Sequence, residues 1–216
     1  MTYPGSTSLW VGVSIGGLLC LLMAEKAGLR RGKALFKIIA STGFVMTGVC
    51  AGGLASRYGL LVLLALVFSW FGDVFLLSKH RAAFLAGLVS FLLAHLSYTL
   101  AFASGPCLVI ASGVAALCCS VAAMVVVPWL WPHLDAKMRG PVVAYIAVIS
   151  VMVVCSAGAA WAEGRWIILV GATMFYLSDI TVARDRFVAP GFVNGLWGLP
   201  LYYGGQLLLA LSVCSR

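Results

Sequence analysis

The chain has 216 residues, of which 63% are hydrophobic and 9% charged, and its mean hydropathy is +1.09. A soluble domain of this size carries about a quarter charged residues, so the composition excludes an ordinary water-soluble globule and leaves no length for a separate soluble domain. The formal charge of +8 does not point to nucleic acid, because the cations fall in short runs between apolar stretches, as in the cytoplasmic loops of membrane proteins.

Apolar runs bounded by charges, glycine or proline predict spans at 7–24, 34–52, 59–77, 82–103, 106–130, 141–161, 165–183 and 196–214. Each approaches the roughly 20 residues needed to cross a bilayer. Helices follow because every backbone polar group in lipid must be paired internally, and the alternating polarity of a barrel is absent. The expectation is an all-α, polytopic membrane helical bundle of about eight transmembrane helices, a single domain over 1–216. A removable leader is not expected, because Met1 to Leu9 lacks a basic segment and the first apolar run ends in Glu25-Lys26 without a small-residue cleavage site.

Loop charge sets the expected orientation. One side holds Lys26, Arg30, Arg31, Lys33, Lys79, Arg81, Lys137, Arg139, Arg184 and Arg186; the other holds Arg57, Arg165 and Arg216. The first side is expected to be cytoplasmic, with both termini on the opposite side. In a bacterium this is the inner membrane. The seven cysteines (Cys20, Cys50, Cys107, Cys118, Cys119, Cys155 and Cys214) show no zinc or redox spacing and read as small apolar residues. Gly12-x-x-x-Gly16 and Gly48-x-x-x-Gly52 have the spacing of close helix contacts.

Six acids are present, and only Asp73 and Asp179 fall inside spans. Each sits about four to six residues from the expected cytoplasmic end, roughly 6–9 Å deep at about 1.5 Å per residue. A carboxylate at such depth is costly unless it meets a partner or a polar cavity, so both are functional candidates. Lys37 lies at similar depth in the second span. It is either a lysine reaching back to the interface or a counter-charge to one aspartate. His95 is the one histidine inside a span; it bonds a neighbouring helix or faces a pocket. Tyr98, Tyr176, Tyr202, Tyr203 and Gln206 are further polar groups that line that pocket or, for the tyrosines, sit at the membrane interface, and Gln206 stands one turn from Tyr202-Tyr203.

The third span ends Phe68-Ser69-Trp70-Phe71-Gly72-Asp73 and the seventh ends Met174-Phe175-Tyr176-Leu177-Ser178-Asp179. Each precedes a short basic turn and a helix with polar groups. Four helices repeated in parallel, a 4+4 arrangement, would put both aspartates at one depth. No Gly-x-Ser-x-Gly elbow, His-Glu-x-x-His or phosphate-binding loop occurs, which disfavours serine hydrolases, zinc hydrolases and nucleotide-driven pumps.

The chain resembles the lysoplasmalogenase (YhhN-like) family in several elements that keep their order. These are Lys37 with Ile38-Ile39-Ala40-Ser41-Thr42-Gly43-Phe44, the Phe68–Asp73 run, and Phe84, Gly87 and Phe91 leading to His95-Leu96-Ser97-Tyr98. They continue with Gly171-Ala172 through Phe175–Asp179, and with Tyr202-Tyr203 and Gln206. Where many relatives have Lys-Pro, this chain reads Lys37-Ile38.

The resemblance implies hydrolysis of the vinyl-ether (alkenyl) bond of a lysoplasmalogen, a lysophospholipid, to a fatty aldehyde and glycerophosphoethanolamine or glycerophosphocholine. The difficult step of enol-ether hydrolysis is protonation at carbon. One protonated carboxyl can donate that proton, and a second, ionised carboxylate can stabilise the cation and activate water, as paired carboxylates do in glycosidases. On that reading Asp73 and Asp179 are the catalytic pair. His95, Tyr98, Tyr176, Tyr202, Tyr203 and Gln206 shape the pocket, and Lys37 or Arg184 meets the phosphate. No cofactor or metal is expected. A small proton-coupled carrier using the same aspartates is the competing reading.

Overall fold

The computed structural model describes residues 5–78 and 80–215. Two cations of the loop asymmetry, Lys79 and Arg216, lie outside these residues. The described chain forms eight long helices: α1 (Gly5–Lys26), α2 (Arg30–Cys50), α3 (Arg57–Phe75), α4 (Arg81–Phe102), α5 (Val109–Leu130), α6 (Ala136–Glu163), α7 (Trp166–Ala183) and α8 (Phe192–Leu211). All eight segments are long and apolar enough to cross a membrane.

Helix ends fall where local chemistry stops the backbone ladder. Ser56 opens α3 by accepting the Gly59 N–H at 3.0 Å. Gly164, in the left-handed region at φ 70°, closes α6. The largest departure from the expected spans is α6, which starts at Ala136 rather than 141, so Lys137 and Arg139 belong to the helix. An apolar run marks only what lipid must cover, and a helix continues until its end groups are satisfied.

Neighbours in the chain pair as antiparallel hairpins: α1 with α2, α3 with α4, α5 with α6, α7 with α8. Between hairpins, α4 packs on α6, and α8 packs on α2, α1 and α3. In α5 only Cys119 and Leu130 are buried, whereas Val109, Ile110, Leu117 and Met124 are each more than 60% exposed. So apolar an outer face suits lipid rather than water.

Small residues decide how closely the hairpins approach. A Cβ on Gly43 would lie 2.7 Å from the Ser14 nitrogen, and one on Gly17 would lie 2.9 Å from the Ala40 nitrogen. The Ser14 hydroxyl donates to the Ala40 carbonyl at 2.8 Å across the same seam. Gly12 and Gly16, whose spacing permits a close helix contact, instead face open space. A helix has several small-residue faces, and only packing selects among them. Gly43→Ala is therefore expected to destabilise the bundle by about 1–3 kcal/mol through overpacking, while Gly12→Ala does not. Thermal unfolding of the two variants in detergent checks this; equal melting temperatures would refute the seam.

Candidate active site

Asp73 is 3% exposed in the last turn of α3. Lys37 of α2 donates to its Oδ1 at 3.0 Å. Ser41, one turn further along the same face of α2, donates to Oδ2 at 2.5 Å, and the Tyr202 hydroxyl of α8 donates to Oδ2 at 2.8 Å. All three partners are donors, which suits an ionised carboxylate. The small residue before Asp73 has a steric cause: a Cβ on Gly72 would meet the Phe91 ring at 2.6 Å. Phe91 in turn packs edge-on against Tyr202, with centroids 5.9 Å apart.

Behind this group lies a second layer. Tyr203 bonds Ser41 at 3.2 Å and donates to the Lys37 carbonyl at 3.4 Å. The Tyr98 hydroxyl donates to Gln206 Oε1 at 2.7 Å, and Gln206 Nε2 donates to Ser69 at 3.2 Å. These bonds join α2, α3, α4 and α8 below the carboxylate.

Asp179, near the end of α7, has a different set of partners. The Tyr145 hydroxyl of α6 donates to its Oδ2 at 2.6 Å. His95 Nε2 of α4 stands 3.2 Å from the same oxygen and 2.9 Å from the Tyr145 hydroxyl. The imidazole is fully buried, with the Phe175 ring 4.5 Å away by centroids. His95 Nδ1 has no partner among the described residues. A doubly protonated ring would leave a buried N–H unbonded, so the neutral tautomer with its proton on Nε2 fits best, donating toward Asp179. Asp179 Oδ1 takes no hydrogen bond from a described residue.

The two settings match when the helix number is advanced by four. Lys37 of α2 and Tyr145 of α6 hold the aspartates of α3 and α7. Tyr202 of α8 and His95 of α4 then each reach the aspartate of the other half.

Both aspartates border one cavity of about 940 Å³, together with Lys37, Tyr145, Tyr176 and Tyr202. That volume is toward the upper end for small-molecule sites. Its rim carries Glu25, Arg30, Lys33, Asp185 and Arg186, all near the cation-rich helix ends. Its wall is apolar, with Leu88, Val126, Leu130, Ile146 and Ile149. Lys33 and Glu25 pair at 2.5 Å at the rim.

Not every residue expected to shape the pocket lines it. His95, Tyr98, Tyr203 and Gln206 stand behind the wall and act on it through hydrogen bonds. Arg184, expected as a phosphate ligand, is likewise not in the wall; it donates to Asn194 Oδ1 at the start of α8. Tyr145 was not singled out from the sequence, because one tyrosine in a 28-residue apolar helix carries no signal. Glu25 also borders the cavity, although the sequence placed it beside a loop. Among the described residues, no three His, Cys, Asp or Glu side chains gather as a metal site.

The chain is similar to known proteins over most of its length. The YhhN family model matches residues 32–213. Lysoplasmalogenase TMEM86A of Bos taurus is 31% identical over 194 residues, covering 82% of this chain and 72% of that protein. Lysoplasmalogenase TMEM86B of Rattus norvegicus is 28% identical over 233 residues, covering 94% and 92%. A lysoplasmalogenase of Mycobacterium tuberculosis is 38% identical over 112 residues, covering 49% of this chain and 41% of its own. No solved structure matches the chain. With a family match that runs from the start of α2 past the end of α8, and so includes both aspartates and every group that holds them, this chain belongs to the YhhN family.

Proposed function

We propose that this protein is a membrane ether hydrolase that cleaves the vinyl-ether bond of a lysoplasmalogen, with Asp179 as proton donor and Asp73 as the ionised partner. The observation that carries the reading is that two intramembrane aspartates, one paired with a lysine and the other with a tyrosine and a histidine, border one apolar-walled cavity. The similarity to proteins named lysoplasmalogenases supports the substrate class.

Asp179 Oδ2 is occupied by Tyr145 and His95, so a proton carried by this group sits on Oδ1. It passes to the β-carbon of the enol ether, whose π pair forms the new C–H bond. A cation shared by the α-carbon and the ether oxygen remains. Asp73, held ionised by Lys37, Ser41 and Tyr202, faces that cation and takes a proton from the water that adds to the α-carbon. The hemiacetal then collapses. Asp73 returns its proton to the departing ether oxygen, and the hemiacetal hydroxyl proton restores Asp179. The products are a fatty aldehyde and a glycerophospho-alcohol.

The apolar wall suits the alkenyl chain, and Arg30, Lys33 and Arg186 at the rim suit the phosphate. In this reading the cation-rich helix ends face the cytoplasm, so the substrate enters from the inner leaflet and both termini lie on the far side. The four-helix offset between the two aspartate settings supports an internal 4+4 duplication.

Purified protein incubated with alkenyl and alkyl lysolipids of one headgroup tests the chemistry. Aldehyde release from the alkenyl lipid alone is expected, since a saturated ether has no carbon to protonate. Uptake into proteoliposomes without product would instead favour the carrier. Tyr145→Phe removes a hydrogen bond that becomes charge-assisted as Asp179 gives up its proton, worth about 1.5–3 kcal/mol at that point. Its kcat is expected to fall about tenfold to a hundredfold; an unchanged kcat would remove Tyr145 from the site.

A further inference from the structure

We infer that Lys37 is a covalent capture site for long-chain aldehydes, which it holds as a Schiff base inside the cavity. Lys37 is 8% exposed and borders the cavity, whereas Lys26 and Lys137 are exposed and Lys33 is half-buried at the rim. Of the two described lysines that border the cavity it is the more buried, with its side chain 10% exposed against 44% for Lys33. Leu88, Val126, Leu130, Ile146 and Ile149 of the same cavity offer an alkyl chain a dry surface.

Imine formation needs an amine free of its proton and an acid that helps water leave. The Lys37–Asp73 contact at 3.0 Å supplies both. The ammonium passes a proton to Asp73 Oδ1, leaving a primary amine, and the nitrogen lone pair adds to the aldehyde carbon. A nitrogen proton moves to the alkoxide to give the carbinolamine. Asp73 returns its proton to the carbinolamine hydroxyl, and water departs as the C=N bond forms. The result is a protonated imine beside the Asp73 carboxylate.

That end state carries the same charges as the starting ion pair, so capture leaves no uncompensated charge in the bundle. It replaces two ammonium N–H bonds with a C=N bond to an alkyl chain that the wall buries. Ser41 and Tyr202 keep Asp73 oriented throughout, through bonds that do not involve Lys37. Buried lysines are suited to such chemistry because their surroundings readily shift their protonation.

The inference rests on the proposed hydrolysis in that the aldehyde would be released beside Lys37, but it can be tested without hydrolysis. Wild-type protein in detergent is incubated with hexadecanal, reduced with sodium borohydride and mapped by peptide mass spectrometry. The expected result is a hexadecyl adduct at Lys37, in severalfold excess over Lys26, Lys33 and Lys137. The adduct is expected to persist in D179N and to vanish in K37R, whose guanidinium forms no such imine. Labelling spread over the lysines in order of their exposure, or an unlabelled Lys37, overturns the inference, and the wild-type map alone decides this if K37R misfolds. Cleavage of alkenyl lysolipid is scored separately. A labelled Lys37 without cleavage sinks only the proposed function, and cleavage without the label sinks only the capture.

Discussion

Asp179→Asn is expected to leave the bundle folded and to lower the rate of vinyl-ether cleavage by a factor on the order of 10²–10⁴, the range in which a positioned general acid contributes. Asparagine keeps the shape of the side chain and offers one carbonyl oxygen to Tyr145 and His95, which now share Asp179 Oδ2. It has no acidic proton to give to carbon. Because protonation at carbon creates the cation, nothing later in the reaction can replace that step. Single-turnover measurement of aldehyde release, with thermal unfolding to verify the fold, decides the point. A kcat within about tenfold of wild type would mean that the proton comes from elsewhere.

The second large effect is on stability. Lys37→Met would leave Asp73 at 3% exposure with only two hydroxyl donors, Ser41 and Tyr202. Removing one member of a buried ion pair costs about 3–5 kcal/mol, because the remaining charge has lost its compensation. The double variant K37M/D73N removes both charges and is expected to recover most of that loss. Thermal unfolding of the two single variants and the double variant in one detergent forms the cycle. Additive losses would show that the pair is energetically uncoupled.

The two experiments probe different parts of one arrangement. Asp73 is built into the bundle by contacts from α2 and α8, and its partners are themselves braced by Tyr203. Among the described residues Asp179 takes hydrogen bonds on one oxygen, and it is more open to the cavity, with its side chain 16% exposed against 4% for Asp73. The anchored carboxylate suits a fixed charge, and the more open one suits a group that exchanges protons with a substrate.

Asp73 and Asp179 were legible in the sequence because a charge in an apolar run is costly and therefore conspicuous. Lys37 stood out for the same reason, although snorkelling and pairing remained equal readings until its 3.0 Å contact with Asp73 separated them. Tyr145 was invisible, since a tyrosine in an apolar helix costs little. Glu25 lies at the end of α1 and looked like a loop residue. Only the packing of α1 against α8 brings it to the cavity rim, where its Oε2 would lie 2.8 Å from a Cβ on Gly195.

From the sequence by itself came the bilayer, the eight helices and the two costly aspartates, because lipid imposes a length and a polarity that any apolar chain must obey segment by segment. Tertiary structure decided which groups meet. His95 was paired with Asp179 rather than set in the cavity wall, Arg184 was given to Asn194, and Gly17 and Gly43 became the close seam in place of Gly12 and Gly16. Helical periodicity states which side chains share a face, but the rotation of each helix and the neighbour it meets depend on shape complementarity summed over the whole bundle, and no single segment contains that information.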